Sequence, residues 1–232
     1  MLLEYFIQYI KESRHVSDST VKHYLTGLNT INTLLGKYNY PITNVFNVAN
    51  ADELKSIKQF ILSNEEFLIK DAIGHNMYSA AFNHFYNFAY EDEMFFQTSL
   101  CKMDIIVPKP DQRNITHSSW KRNQIIITQT IIAAQYGCEQ DSSHKTFTAA
   151  ATGNPYMEGH HLVPLQYQSY FDNSIDVYAN IICLCPTCHR LLHYGTKPEK
   201  SYVIEKLFDK RYERFSKTGI DISKYNLLQL IL

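Results

Sequence analysis

The chain has 232 residues and a mass of 27.0 kDa, enough for one large domain or two small ones with apolar cores of their own. Hydrophobic residues make up 45% and charged residues 19%, which excludes disordered and fibrous proteins. The formal net charge of −1 neither indicates nor excludes a nucleic-acid partner. Residues 1–110 carry an acidic excess and residues 111–232 a basic one, so the second half is the better candidate for contacts with phosphate.

The start of the chain does not predict export or membrane insertion. Glu4 and Lys11 interrupt its apolar run, and the run lacks a basic leading segment. No stretch approaches the ~18 apolar residues of a transmembrane helix. We therefore expect a cytoplasmic protein without a membrane partner, in which clustered cysteines more often bind metal than form disulfides.

Helical periodicity runs through residues 1–95. Ser17 and its neighbours can cap a helix that ends near Gly36, and further helices are predicted over 51–62 and 76–90. The aromatic side chains on the last of these are expected to be core residues. The sequence thus predicts an all-helical N-terminal domain over 1–106.

A break in the pattern predicts a linker over 107–119, where prolines and polar residues are frequent. The second domain is expected over 120–232. Its first helix is predicted from Trp120 to Tyr136, with Gly137 as the stop. Lys121 and Arg122 near the start of this helix could contact DNA phosphates, or form a solvated pair of charges.

The cysteine spacing predicts a structural zinc site. A Cys-x2-Cys turn, Cys185 and Cys188, can supply two ligands of a tetrahedral zinc ion, and a distant pair must complete it. Cys138 and His144 are the nearest available pair, although a buried cysteine and a loop histidine are the alternative interpretation. Cys183 is expected only to be buried.

A histidine cluster predicts a second, catalytic metal site. His189 and His193 are four residues apart and share one helix face. His160 and His161 are adjacent on a strand and point to opposite sides, so only one of them can join that metal. A bound cation beside a free imidazole is a hydrolytic arrangement. Whichever of these two imidazoles stays free is expected to be exposed to water.

The pattern of His160-His161, Asn180, Cys185-x2-Cys188-His189 and His193 resembles the HNH motif of the ββα-metal nuclease superfamily, in the zinc-stapled form of restriction endonucleases. The resemblance implies an α+β fold: a helical N-terminal domain followed by a ββα-metal domain with flanking helices. It implies His161 as general base, Asn180 as the residue that orients the base and its loop, and His160 and His189 as catalytic-metal ligands. His193 matches the third ligand of the similar sites in DNase colicins.

The same resemblance implies metal-assisted hydrolysis of phosphodiester bonds in DNA, with one structural Zn²⁺ and one catalytic divalent cation. Mg²⁺, Mn²⁺, Ni²⁺ and Zn²⁺ are all compatible with the catalytic position. Arg190 follows His189 on the same helix and could contact the cleaved strand or form a surface ion pair. The family often has Cys-x2-Cys where this sequence has Cys138-x5-His144.

Two flanking segments carry weaker resemblances. The stretch from Val16 to Leu25, followed by a helical bundle, resembles the SAM-like core-binding domain of tyrosine recombinases, which implies DNA recognition; an interaction or dimerisation bundle is the alternative. The segment after Gly219 resembles the closing helix of HNH restriction enzymes and is a candidate homodimer surface.

A helix is predicted over 199–217, with its basic residues either solvated or on the DNA backbone.

Three functions remain open from the sequence. The first is a restriction-type endonuclease acting on duplex DNA, modified or unmodified. The second is a sequence-nonspecific DNase effector or toxin of a defence system. The third is a catalytically silent zinc module that only binds DNA, which the presence of His160, His161, Asn180 and His189 together argues against.

Overall fold

A computed structural model describes residues 1–109 and 122–232. The described chain forms two compact units, Met1–Asp92 and Glu93–Leu232. The first is helical throughout, and the second combines helices with a two-stranded sheet. The predicted fold class is thereby confirmed. Most of the predicted linker lies outside the described residues, and the domain limits drawn from the sequence stay predictions.

The first unit contains five α-helices, which are α1 (Leu2–Arg14), α2 (Asp18–Lys37), α3 (Ala51–Ser63), α4 (Glu65–Ile73) and α5 (Met77–Tyr86). Ser17 caps α2 as predicted, because its side chain accepts a hydrogen bond from the Thr20 backbone N–H. Helix α5 continues into a π-helical turn, Asn87–Glu91, where the sequence predicted one uninterrupted helix. Helix α4 was not predicted.

Helices α2 and α5 pack closely at the centre of this unit. A Cβ atom on Gly27 would lie 2.8 Å from the Cβ of Ala81, so this approach requires glycine. Phe82 and Phe85 are buried as predicted. The aromatic residues of α5 therefore form core rather than a binding surface.

The second unit contains α6 (Glu93–Ser99), α7 (Gln124–Ala133), β1 (Glu158–His161), β2 (Ile181–Leu184), α8 (Pro186–Tyr194), α9 (Lys197–Thr218) and α10 (Lys224–Ile231). Helix α7 lies at its centre and packs against α6 and both strands. Because α6 packs on α7, this compact unit begins at Glu93. No helix in the described ranges is both long and apolar enough to cross a membrane.

Helix α7 is shorter than predicted. It begins after Asn123, whose side chain accepts a hydrogen bond from the Ile125 backbone N–H. It ends at Ala133, before Gly137, because Gln135 and Tyr136 adopt left-handed backbone conformations with φ of 50° and 56°. Trp120, where the sequence placed the start, lies outside the described residues.

Two basic residues of α9, Arg211 and Arg214, are structural, contrary to both sequence interpretations, whereas Lys210 and Lys217 are exposed. Arg211 is buried, and its Nη2 atom donates to both carboxylate oxygens of Glu139, at 2.7 and 2.6 Å, and to the Ile181 carbonyl at 3.1 Å. Arg214 forms a bidentate pair with Asp104 at 2.6 and 2.8 Å. These contacts join α9 to β2 and to the segment around Cys138, so they stabilise the fold instead of facing solvent or DNA.

Substitution of Arg211 by alanine is expected to lower the free energy of unfolding by about 3 kcal/mol or more, because Glu139 would be left largely buried without its partner. Urea denaturation followed by circular dichroism measures this. The matched control is Lys210→Ala on the same helix, whose exposed ammonium donates to the backbone carbonyl of Glu139 and not to its carboxylate; we expect a change within about 0.5 kcal/mol. Equal effects of the two substitutions would refute the structural role of Arg211.

Candidate active site

Two paired strands followed by a short helix position the side chains of the motif. Strands β1 and β2 are antiparallel, with His160 opposite Ile182 and His161 opposite Ile181, and α8 follows β2 directly. A Cβ atom on Gly159 would lie 2.5 Å from Ile127, so glycine lets α7 pack against β1. Two strands and one helix thus form the predicted ββα element, held in place by α7.

Three histidines converge across β1 and α8. One donor nitrogen from each of His160, His189 and His193 lies within 4.8 Å of the others, and the ring centroids are 4.8 to 5.1 Å apart. The predicted catalytic-metal ligands are therefore together in space. The side chain of His193 is exposed, which leaves one side of the cluster open to a substrate.

The histidine cluster has the charge state that a metal site needs. Burial, together with His189 and His193, lowers the pKa of His160 to about 3, and burial also lowers the pKa of His189. Both rings are therefore neutral at physiological pH, and neutral imidazole is the form that binds metal. These observations show that the residues fit a divalent cation.

Glu158 lies beside this cluster. Its Oε2 atom is 2.6 Å from Nδ1 of His189, although Nδ1 is buried and not aligned for a hydrogen bond. Tyr156 donates its hydroxyl to the other carboxylate oxygen at 3.3 Å. Residues two apart on a strand face the same side, so the position of Glu158 two residues before His160 could have predicted that Glu158 lies beside the cluster. No role for Glu158 was expected from the sequence.

His161 lies outside the metal cluster, on the other side of β1 from His160. Its side chain is 6% exposed, and its Nε2 atom is 2.7 Å from Oδ1 of Asp176. The expectation of a water-exposed ring was therefore wrong. Asp176 and the start of α7 cover this face of the strand, and nothing in the sequence pattern pointed to Asp176.

Asn180 is fully buried at the entrance to β2. Its Oδ1 accepts from the Val163 backbone N–H at 2.7 Å, and its Nδ2 donates to the carbonyls of Val163 and Ile175 at 2.9 and 2.8 Å. These bonds fasten the asparagine to the start of the loop between the strands, at Val163, and to a later part of the same loop, at Ile175. The side-chain hydrogen bonds of Asn180 in the described structure therefore go to the loop that carries Asp176 and not to the His161 ring.

The four predicted zinc ligands also come together. Donor atoms of Cys138, His144, Cys185 and Cys188 lie within 4.8 Å of one another. His144 Nδ1 is 3.3 Å from Cys188 Sγ and 3.7 Å from Cys185 Sγ. A tetrahedral zinc ion with ordinary bond lengths would separate nitrogen and sulfur by about 3.6 Å. This Cys3His group can hold a metal ion.

The thiol groups of this site need a cation to ionise together. Burial opposes ionisation of Cys138, but backbone N–H groups and His144 outweigh it and lower the pKa of this thiol to about 7. Burial and the neighbouring cysteines raise the pKa of Cys188. Without a metal, one thiolate therefore disfavours the next. Cys183 is buried outside the group, as expected.

Two of the three predicted DNA-contacting residues, Arg122 and Arg190, lie in the part of the chain that the structure describes. Lys121 lies outside the described residues. Arg122 and Arg190 are exposed, and in the described ranges neither forms an ion pair with a carboxylate. Burial is the first cause of the low pKa of His189, and the charges of both arginines add to it. The two guanidinium groups therefore lie near the histidine cluster and are available to an anion.

Comparisons with known proteins match the segment that carries this geometry. Residues 141–196 match the family model described as HNH endonuclease. A segment of 56 residues is 41% identical to the type IV methyl-directed restriction enzyme EcoKMcrA of Escherichia coli (strain K12). It covers 24% of this chain and 18% of that enzyme, so the chain spans only a small part of this relative's length. The resemblance found from the histidine and cysteine spacing is confirmed, and the chain contains an HNH endonuclease domain.

Proposed function

We propose that this protein is a metal-dependent, restriction-type endonuclease that hydrolyses phosphodiester bonds in duplex DNA. The observation that carries the proposal is the convergence of His160, His189 and His193 on one point, with His161 next to them in sequence but outside the cluster. The similarity to a methyl-directed restriction enzyme supports base modification as a determinant of substrate choice. We assign substrate selection to the Met1–Asp92 unit.

Each residue of the domain has a role in this proposal. His161 removes the proton from the attacking water, and Asn180 holds the loop that orients it. His160, His189 and His193 hold the catalytic cation, while the Cys3His group holds zinc and fixes the start of α8. The bound cation supplies charge stabilisation at the phosphoryl oxygens and the leaving 3′ oxygen. Products with 5′-phosphate ends are expected.

The two unpaired guanidinium groups are proposed to bind the DNA backbone. Arginine suits this role because its planar fork can donate two hydrogen bonds to one phosphate. Arg190 lies on α8 and Arg122 just before α7, so the two phosphate contacts would come from separate parts of the chain. No sequence preference is expected from these contacts.

Substitution of Arg122 by glutamine is expected to weaken DNA binding uniformly across sequences, because one phosphate contact is lost. A plot of the logarithm of the DNA association constant against the logarithm of the salt concentration has a negative slope, and the magnitude of this slope should decrease by about 0.9. Fluorescence anisotropy with labelled duplexes over a salt series measures both quantities. The control is Lys224→Gln, since Lys224 already pairs with Asp209 on the protein surface. An unchanged salt slope for the Arg122 variant would remove this residue from the interface.

The proposed function is tested by incubating the purified protein with methylated, hydroxymethylated and unmodified DNA in Mg²⁺, Mn²⁺, Ni²⁺, Co²⁺ and Zn²⁺, and sequencing the fragment ends. Discrete fragments whose pattern depends on sequence or modification support a restriction enzyme. A smear from every substrate would instead indicate a nonspecific DNase. Binding without cleavage under every cation would refute the nuclease proposal and indicate a silent DNA-binding module.

A further inference from the structure

Asp176 is a buried carboxylate with both oxygens engaged. It is 4% exposed; its Oδ1 is 2.7 Å from His161 Nε2, and its Oδ2 accepts the Asn123 backbone N–H at 3.1 Å. The Asp176 backbone N–H donates to Ser174 Oγ at 3.2 Å. Since Asn123 caps α7 and His161 ends β1, the carboxylate links two separate elements at the site.

The donor and acceptor pattern around Asp176 determines where the His161 proton resides. A carboxylate only accepts hydrogen bonds, so the nitrogen that faces it must carry the proton. In a neutral imidazole with its proton on Nε2, the lone pair is on Nδ1. The contact therefore selects one tautomer and fixes the orientation of the ring.

Asn180 extends this arrangement. Its Nδ2 donates to the carbonyl of Ile175, the residue directly before Asp176, at 2.8 Å. The asparagine thus holds the backbone from which the carboxylate projects. A chain of contacts runs from Asn180 through the loop to Asp176 and from there to His161.

We propose that Asp176 is the positioning residue for His161: it keeps the proton on Nε2 and presents Nδ1 as the atom that takes the proton from water. This inference rests on the proposed nuclease function for its catalytic consequence. Its structural part, the tautomer of His161, can be measured whether or not the protein cleaves DNA.

Substitution of Asp176 by asparagine tests the inference, because an amide has one acceptor and one donor end. The Asn123 N–H requires the oxygen, so the NH2 group would face His161 Nε2 and move the ring proton to Nδ1. The lone pair would then point away from the water. We expect kcat to fall by a factor on the order of 10²–10⁴, the upper end being that of the equivalent change in a serine-protease triad, with KM unchanged.

The second readout is nitrogen NMR of the imidazoles in 15N-histidine-labelled protein, with the His161 signals identified by their loss in His161→Ala. In the wild-type protein we expect Nδ1 to show the 15N chemical shift of an unprotonated imidazole nitrogen. In Asp176→Asn we expect Nε2 to show it. The matched control is Asp172→Asn, an exposed aspartate four residues earlier, which should change neither the tautomer nor kcat.

These measurements separate the inference from the proposed function. A lone pair on Nε2 of wild-type His161 would overturn the inference even if the protein cleaves DNA and even if the Asp176 variant does not fold. Wild-type cleavage rates in a folded Asp176→Asn protein would overturn it as well. Absence of cleavage by the wild-type protein under every cation would refute the nuclease, while the tautomer result would still stand.

Discussion

Substitution of His161 by alanine is expected to reduce DNA cleavage at least about 10³-fold while DNA affinity and zinc content stay at wild-type values. The variant keeps both metal-binding clusters but lacks the group that removes the proton from water. Single-turnover cleavage of a supercoiled plasmid, with binding measured separately, distinguishes lost chemistry from lost affinity.

The burial of His161 requires a second variant, because alanine leaves the Asp176 carboxylate without its partner. In His161→Gln the side-chain amide can still donate to Asp176 but has no basic nitrogen. We expect this variant to unfold at a denaturant concentration close to that of the wild type and to be equally inactive. Wild-type cleavage by either variant would show that His161 is not the base.

Substitution of Cys188 by alanine is expected to remove the structural zinc and unfold much of the second unit. Structural zinc sites contribute apparent free energies on the order of 10 kcal/mol in small domains, which is comparable to the whole stability of an ordinary domain. Cys188 also lies in the first turn of α8, the helix that carries His189 and His193. Loss of the zinc should therefore abolish cleavage as well.

Metal analysis by inductively coupled plasma mass spectrometry, together with thermal unfolding, measures the effect. The matched control is Cys183→Ala, since Cys183 is buried in the same segment but lies outside the Cys3His group. It should retain zinc and lose only about 1 kcal/mol from the small cavity. A folded, active Cys188→Ala protein with full zinc content would exclude Cys188 as a ligand.

The metal-binding groups could be predicted from the sequence because coordination restricts spacing. A Cys-x2-Cys turn and two histidines four residues apart each place their donor atoms together through local backbone geometry. Helix α2 was predicted for a similar reason, since the capping Ser17 and the apolar periodicity lie next to each other in the chain.

Contacts between distant segments were not predictable in this way. Asp176 and His161 meet only because the loop between the strands folds back, and no spacing rule connects them. Arg211 lies on an amphipathic helix where a basic residue is usually solvated, and only its ion pair with Glu139 explains its burial. Helix α4 was not predicted because apolar residues such as Ile69 and Ile73 are exposed in it. Its apolar residues therefore do not recur on one buried face, which is the pattern that predicts a helix.

The central claim is that His160, His189 and His193 together hold the cation that supports DNA cleavage. Its most direct test is a titration of Mn²⁺ or Ni²⁺ into zinc-loaded protein, in which ion binding and plasmid cleavage are measured in the same samples. We predict that cleavage rises with occupancy of a single additional site in the wild type, and that a variant with all three histidines changed to alanine, still containing its structural zinc, neither binds this ion nor cuts. Cleavage by that variant at the wild-type rate would contradict the claim.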